Sequence, residues 1–341
     1  MHGDRLNASG GTKSVSVADG EGGTHPDHND LAGFELKHIV YTKPGGSVHS
    51  KTVNTPGRHK TASRTRSWGT SDAVLTGVAA RHTWTAMDGG TWRETHTDTE
   101  YDTVTGLPVQ EDDQGDIARD DDDLCTRTTY AVNADAWIRV LPSRVETVAV
   151  RCSATPERPK DIVSDVRTFY DGGTTPTRGD VTRVEKIADH DGTTARYVPT
   201  ARTTYDDHGR VTAVTDALGH TTTTTYTETA GLTTKVTTTG PPVDPDDPAS
   251  AHVTTETLDP AHGRPTAQTD AAGRTTHLAY DGLGRLTKVW LPGRPTTATP
   301  DTEHSYQVAD GKISAVTTKT LTPTGAQRAG HALFDGRPPN G

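Results

Sequence analysis

Short runs of alternating apolar and polar residues recur along the chain and predict β-strands. Segment 210–215 places Val211 and Ala213 on one face of an extended chain, with Thr212 and Val214 on the other. Segment 221–226, rich in threonine, predicts the return strand. Residues 216–219 form the turn between them, so each such unit predicts a β-hairpin. No segment has the pattern of an amphipathic helix, and the predicted fold is all-β.

The turns between these strands combine an aspartate with a glycine. At the start of the turn, the Asp206 carboxylate is placed to accept a backbone N–H two residues on. Gly209 suits the left-handed position that ends a type I hairpin turn. Glycines of this kind are separated by ten residues (209 to 219), ten (263 to 273) and eleven (273 to 284).

This spacing reveals an internal repeat. A hairpin alone is marginally stable in water, so we expect neighbouring hairpins to supply the missing burial, with Tyr205, Tyr226 and Tyr280 packed between them. Weaker copies begin at residues 101 and 170, and residues 334–337 resemble the opening of one more, which predicts a chain truncated within a repeat. The repeat-defining residues are Tyr205, Asp206, Gly209, Arg210, Asp216, Gly219, Tyr226, Gly263, Arg264, Asp270, Gly273, Tyr280, Asp281, Gly284 and Arg285.

The motif Tyr-Asp-x-x-Gly-Arg-(Val/Leu)-Thr, followed by Thr-Asp-x-x-Gly, resembles the Rhs/YD repeat. This repeat occurs in bacterial Rhs and wall-associated proteins, in the large subunits of ABC-type insecticidal toxin complexes, and in teneurins. The resemblance implies a curved or spiral β-sheet of repeated hairpins that closes into a shell around a C-terminal effector domain. A chain with few repeats would be an open fragment of that shell. No motif of the family's autoproteolytic core is present, so no catalytic residue is carried over.

The repeats suggest four regions along the chain. Residues 1–30, rich in Gly, Ser, Asp and His, are predicted to be disordered, and 31–97 to form an N-terminal β-rich flank. Residues 98–160 resemble the degenerate flanking repeats of actinobacterial members. The specific Tyr-Asp repeats occupy 161–341.

Composition narrows the range of partners. Only 30% of the residues are hydrophobic, and the net charge is −10. The low hydrophobic content predicts thin layers rather than a thick core. The negative charge predicts that the chain does not bind nucleic acid, whose phosphates would repel it. The best basic cluster, residues 58–66, is predicted to be a solvated loop. No apolar run is long enough for a membrane span, and the N-terminus lacks the apolar core of a signal peptide.

Two cysteines, Cys125 and Cys152, are the only ones in the chain. Either they form a disulfide, which a β-rich and Met-poor chain favours, or they are unrelated buried thiols. No Cys or His spacing indicates zinc, so the sequence predicts no metal site and no cofactor.

Other candidate sites have simpler explanations. Pro26 disrupts the His25–His28 pair, and the acidic run 120–123 lacks the ligand pattern of a calcium loop. No catalytic motif of a hydrolase is present, which predicts that the chain is not an enzyme. Exposed tryptophans offer an alternative function, because Trp84 and Trp92 would share a face if the turn at 87–90 did not intervene.

The sequence therefore predicts a non-catalytic structural segment of an Rhs/YD-repeat protein, part of a β shell that encloses or carries a C-terminal toxin. The expected partners are the remaining repeats or the toxin domain of a longer chain. The expected location is extracellular or at the cell surface. The alternative is a secreted or cell-surface module that binds carbohydrate or another cell.

Overall fold

The computed structural model describes residues 5–6, 12–13 and 15–334, and most of them belong to β-strands. There is no α-helix in these ranges, and two short 3-10 helices lie at Asn29–Leu31 and Pro248–Ser250. The strands are β1 Arg5–Leu6, β2 Thr12–Lys13, β3 Ser16–Ala18, β4 Thr24–Pro26, β5 Lys37–Tyr41, β6 Val48–Arg66, β7 Gly69–Ala86, β8 Trp92–Tyr101, β9 Pro108–Asp116, β10 Leu124–Asn133, β11 Ile138–Val148, β12 Ile162–Tyr170, β13 Val181–His190, β14 Ala195–Tyr205, β15 Val211–Asp216, β16 Thr221–Thr229, β17 Leu232–Thr239, β18 Val253–Asp259, β19 Arg264–Thr269, β20 Thr275–Tyr280, β21 Leu286–Trp290, β22 Thr302–Gln307, β23 Ser314–Leu321 and β24 Gln327–Phe334.

The chain divides into two parts, Met1–Arg202 and Thr203–Gly341. In the first part, β5 to β14 follow one another in chain order, each antiparallel to the next. In the second part, β15 to β24 do the same. Among the described residues, no pairing returns the last strand of either part to its first. The all-β fold of repeated hairpins in an unclosed sheet is thus confirmed.

The sheet has little core. The accessible surface is 21662 Å² for a 36.3 kDa chain, against roughly 13,400 Å² expected for a globular protein of that mass. The buried apolar side chains are few, namely Leu31, Val53, Cys125, Ala131, Val148, Tyr170 and Trp290. A sheet that is exposed to this extent must rely on its backbone ladder, its turns and its polar contacts.

The N-terminal segment differs from the prediction. Residues 15–30 are ordered: β3 and β4 pair with each other, and a 3-10 helix buries Leu31. The turn between the strands is held by Asp19, whose carboxylate accepts the N–H groups of Glu21 at 2.7 Å and Gly23 at 3.0 Å. Composition alone does not reveal hydrogen bonds of this kind between a side chain and the nearby backbone. The rest of the predicted disordered segment, at 1–4, 7–11 and 14, lies outside the described residues.

A disulfide joins Cys125 of β10 to Cys152, in the loop after β11. Cys125 is completely buried. The loop is tied down further, because the Cys152 N–H donates to Asp112 at 2.8 Å and Arg127 donates to the Cys152 carbonyl at 2.9 Å. The disulfide therefore fixes an irregular loop onto β9 and β10.

Removing the disulfide should destabilise the protein. The cysteines are 27 residues apart, and closing such a loop restricts the unfolded chain by roughly 3.5 kcal/mol in the chain-entropy account. We expect the double substitution C125A/C152A to lower the free energy of unfolding by about 2–4 kcal/mol, measured by urea denaturation. A reductant should lower the stability of the natural chain and leave the variant unchanged. Equal midpoints for the two proteins would contradict this assignment.

Candidate functional site

The repeated turn is built around the carboxylate of Asp206. One carboxylate oxygen accepts the N–H groups of His208 at 2.9 Å and Arg210 at 3.0 Å. The other oxygen accepts Nε of Arg210 at 2.7 Å. Gly209 closes the turn with φ +76° and donates its N–H to the Asp206 carbonyl at 3.0 Å. One side chain thus binds three donors within five residues.

The same arrangement recurs further along the chain. Asp270 and Asp281 each capture two backbone N–H groups and the guanidinium four residues on. At Asp216, His220 takes the place of the arginine, with Nδ1 3.1 Å from the carboxylate. The glycines of these turns all have positive φ, as does the glycine of the longer turn after Asp259: Gly219 +87°, Gly263 +64°, Gly273 +75° and Gly284 +72°.

These contacts favour the charged carboxylates. At Asp206, burial opposes the charge, but the backbone N–H and the guanidinium of Arg210 outweigh it and lower the pKa. At Asp270 and Asp281 the largest cause of the lowered pKa is the backbone N–H four residues on. The recurring carboxylates are therefore ionised, and they accept hydrogen bonds from donors within their own turns.

The arginine that ends the turn also contacts the next strands. The guanidinium carbon of Arg210 lies 4.4 Å from the ring centroid of Tyr226 on β16, and its Nη1 donates to Glu228 at 2.7 Å and to Thr233 at 2.9 Å. Arg285 lies over Tyr306 in the same way, at 4.5 Å. Each of these arginines connects its turn to the following part of the sheet.

Six tyrosine hydroxyls make one common contact. Each donates to a backbone carbonyl on the preceding strand, at 2.7–3.0 Å. The pairs are Tyr101 with Val78, Tyr130 with Pro108, Tyr170 with Pro142, Tyr226 with Val211, Tyr280 with Pro265 and Tyr306 with Leu286. The contact does not require a Tyr-Asp pair, because Tyr130 and Tyr306 are followed by other residues. The tyrosines lie on β8, β10, β12, β16, β20 and β22, so the signal for the contact is a tyrosine that recurs on alternate strands.

The structure gives these tyrosines a different place from the one we predicted. Tyr226 and Tyr280 are half-buried, and each reaches across to an adjacent strand of the same sheet. Around Tyr226 and Tyr280 the neighbouring hairpins pair edge to edge through their backbones, so these rings lie on the sheet and not between stacked hairpins. Tyr205 lies at the end of β14 and is also half-buried.

The copy at Tyr170 contains an enlarged turn. The Asp171 carboxylate accepts four backbone N–H groups, from Thr177, Arg178, Gly179 and Asp180, at 2.6–3.1 Å. Burial opposes the charge of Asp171, but these four donors lower its pKa to about 2. The residue itself adopts φ +54°, in the left-handed region. The side chain thus holds a ten-residue loop together.

The other candidate residues are dispersed. The basic cluster 58–66 forms part of β6 and is not the loop we predicted. The acidic run does not converge, because Asp121 pairs with Arg119 at the surface while Asp123 is buried. No group of three His, Cys, Asp or Glu side chains in the described ranges is arranged to hold a metal ion. Nor does any helix there have the length and apolar character needed to span a bilayer.

The tryptophans fall in different environments. The turn at 87–90 does intervene between Trp84 and Trp92, which lie on adjacent strands. Their rings nevertheless share a neighbour, since Nζ of Lys51 is 4.5 Å from the Trp84 centroid and 5.4 Å from that of Trp92. Trp290 is buried, whereas Trp68 and Trp137 are exposed.

Comparison with known proteins identifies the repeat. The family described as RHS Repeat matches residues 205–241 and 259–289, the segment that contains the Asp206, Asp216, Asp270 and Asp281 turns. These two segments are therefore RHS repeats. No curated protein matches the sequence.

Several solved structures resemble the chain weakly. They include a TcdB2–TccC3–Cdc42 complex, at 14% identity and TM-score 0.33, covering 96% of this chain and 20% of the other. The Tc holotoxin pore of Photorhabdus luminescens matches at 14% identity and TM-score 0.33, covering 94% and 19%. The chain spans about a fifth of the length of these proteins.

Replacing Gly209 by valine should destabilise the hairpin. Gly209 has φ +76°, a conformation that costs a β-branched residue about 1–3 kcal/mol. We expect the free energy of unfolding of Gly209→Val to fall by this amount in urea denaturation. Gly282→Val is the matched control, because Gly282 lies in a related turn with open space around it and without a positive φ. If the urea denaturation midpoint of Gly209→Val is unchanged, the assignment of Gly209 to the turn is wrong.

Asp171 should make the free energy of unfolding depend on pH in the acidic range. Its pKa is about 2 in the folded protein, below the ordinary 3.8, so its stabilising contribution is complete above about pH 4 and is lost as the pH falls towards 2. We expect Asp171→Asn to be less stable at neutral pH and to lose less stability than the natural chain over that window. Urea denaturation at a series of pH values measures both.

The control for this experiment is Asp310→Asn, at an exposed position in the turn before β23. The stability of this variant should change with pH in the same way as that of the natural chain. The assignment fails if Asp171→Asn keeps the acid sensitivity of the natural protein.

Proposed function

We propose that the chain is a non-catalytic wall segment of a longer RHS/YD-repeat protein, part of a β shell that encloses or carries a C-terminal toxin. The observation that carries this proposal is the use made of the recurring polar residues. Asp206 and Arg210, and their counterparts in later turns, are occupied in closing hairpins and linking strands. The charged side chains of the repeat therefore hold the sheet together.

The way the strands pair supports the same role. Each strand pairs with its neighbours in sequence, and within the described residues neither part of the chain closes on itself. Pairing of strands in chain order can be continued by further hairpins of the same kind. The partners are therefore the remaining repeats or the toxin domain of the longer chain.

The location that fits this role is extracellular or at the cell surface. The disulfide between Cys125 and Cys152 supports it, because disulfides persist in oxidising compartments and are rare in the cytosol.

A binding module for carbohydrate or for another cell is the second candidate. The observation in its favour is the neighbourhood of Trp84, Trp92 and Lys51, since Trp92 is 41% exposed and lies beside charged residues. Aromatic faces next to polar groups suit sugar rings. Saturable binding to a glycan array that is lost in Trp92→Ala would favour this candidate over a wall segment.

Limited proteolysis of the complete gene product tests the wall role. We expect any domain downstream of the repeats to survive trypsin concentrations that digest the same domain expressed alone, because the β wall excludes the protease. Mass spectrometry of the fragments reports the protection. Equal digestion of the free and attached domain, or a reading frame without further repeats on either side, would refute the proposal.

A further inference from the structure

Strands β6 and β7 form a hairpin that extends well beyond its neighbours. They pair from Ser50 with Thr85 to Arg66 with Gly69, with register shifts between Thr55 and Pro56 and between Lys60 and Ala62. However, β5 pairs with β6 only as far as Val53, and β8 pairs with β7 only from Ala80. We call residues 55–79 the arm. Neither outer edge of the arm is paired with a third strand in the part of the chain that the structure describes.

The distal end of the arm is fully exposed. The last support is the turn between β8 and β9, where the Gly106 backbone lies close to Leu75 and Thr61. Beyond that level, every residue from 62 to 73 is exposed. We call residues 62–73 the tip. Ser67, where the turn begins, is six positions beyond Thr61, which gives a projection of about 20 Å at roughly 3.3 Å per residue.

The two faces of the tip differ in charge. On one face, Asp72 accepts the Ser63 hydroxyl at 2.6 Å and lies 3.6 Å from Lys60. Arg64 and Arg66, two residues apart, share the opposite face. Their cross-strand partners are only serine and glycine, and no described residue hydrogen-bonds or pairs with either guanidinium. This face therefore carries two uncompensated positive charges.

The acidic body does not neutralise the tip. The chain has a net charge of −10, but electrostatic screening at physiological salt acts over about 8 Å, less than half of the projection. An approaching molecule first meets the two arginines and the indole of Trp68, which is 74% exposed at the turn. Arginine and tryptophan are the residue types that contribute most to protein interfaces.

We propose that the arm is a docking element for an extended, acidic polypeptide segment of a partner protein. Arg64 and Arg66 pair with its carboxylates in the forked geometry that guanidinium favours, and Trp68 covers its side. The open strand edges supply backbone N–H and C=O groups that an added strand can pair with. A lipid surface offers no such partners, and burial of unpaired backbone groups in it is unfavourable.

Binding of fluorescein-labelled deca-L-glutamate to the full chain tests the proposal. Fluorescence anisotropy should show saturable binding that weakens as salt is raised. We expect R64Q/R66Q to weaken binding by at least about tenfold, since two charge-assisted contacts are lost, and Trp68→Ser to weaken it as well. K60Q is the matched control, because it removes a positive charge from the opposite face of the same arm. Circular dichroism checks that all variants remain folded.

Two further probes separate the polypeptide from other anions. Polyacrylate of equal charge lacks a peptide backbone and should bind more weakly than deca-L-glutamate. Equal binding would overturn the polypeptide assignment in favour of a general polyanion site. The chain could instead bind phosphatidylglycerol vesicles and lose that binding in R64Q/R66Q and in Trp68→Ser. This result would assign the arm to a membrane and overturn the polypeptide assignment. No binding of deca-L-glutamate, or unaltered binding by R64Q/R66Q, would overturn the proposal altogether.

Discussion

The structure depends on the capture of backbone N–H groups by the aspartates that begin the recurring turns at 206, 216, 270 and 281. A thin sheet buries too little apolar surface for a core to select the register of one strand against the next. The register is set locally instead, because Asp206 binds the backbone at two positions and Gly209 turns the chain back. The turns at Asp216, Asp270 and Asp281 start their hairpins from the same geometry.

The arginines and tyrosines extend this local order across the sheet. Arg210 touches its own turn, the Tyr226 ring on β16 and Thr233 of β17, so it links the turn to two later strands. The Tyr226 hydroxyl binds the strand before it. Individually such exposed contacts are weak, of the order of 1 kcal/mol or less. Repeated in every few strands, they take the place of the packing that a two-layered sheet would have.

The sequence predicted best what depends on neighbouring residues. The turns could be read directly, since Asp206 acts on residues two and four positions ahead. The tyrosine hydroxyls could not, because their acceptors are 15 or more residues away and depend on strand register. The arm was missed for another reason: its arginines, serines and threonines have the composition of a solvated loop. Whether the cysteines pair was open in the sequence, because spacing does not determine distance.

The pairing of strands in chain order has a consequence for how the protein folds. Within each part, no strand has to wait for a distant segment, so the entropy of closing each loop stays small. Contacts of this kind allow a β-protein to fold faster than one with long-range pairings. The sheet can grow hairpin by hairpin as the chain leaves the ribosome, each finished strand serving as the template for the next. A single defective turn would then stop growth at its own position and leave the earlier hairpins formed.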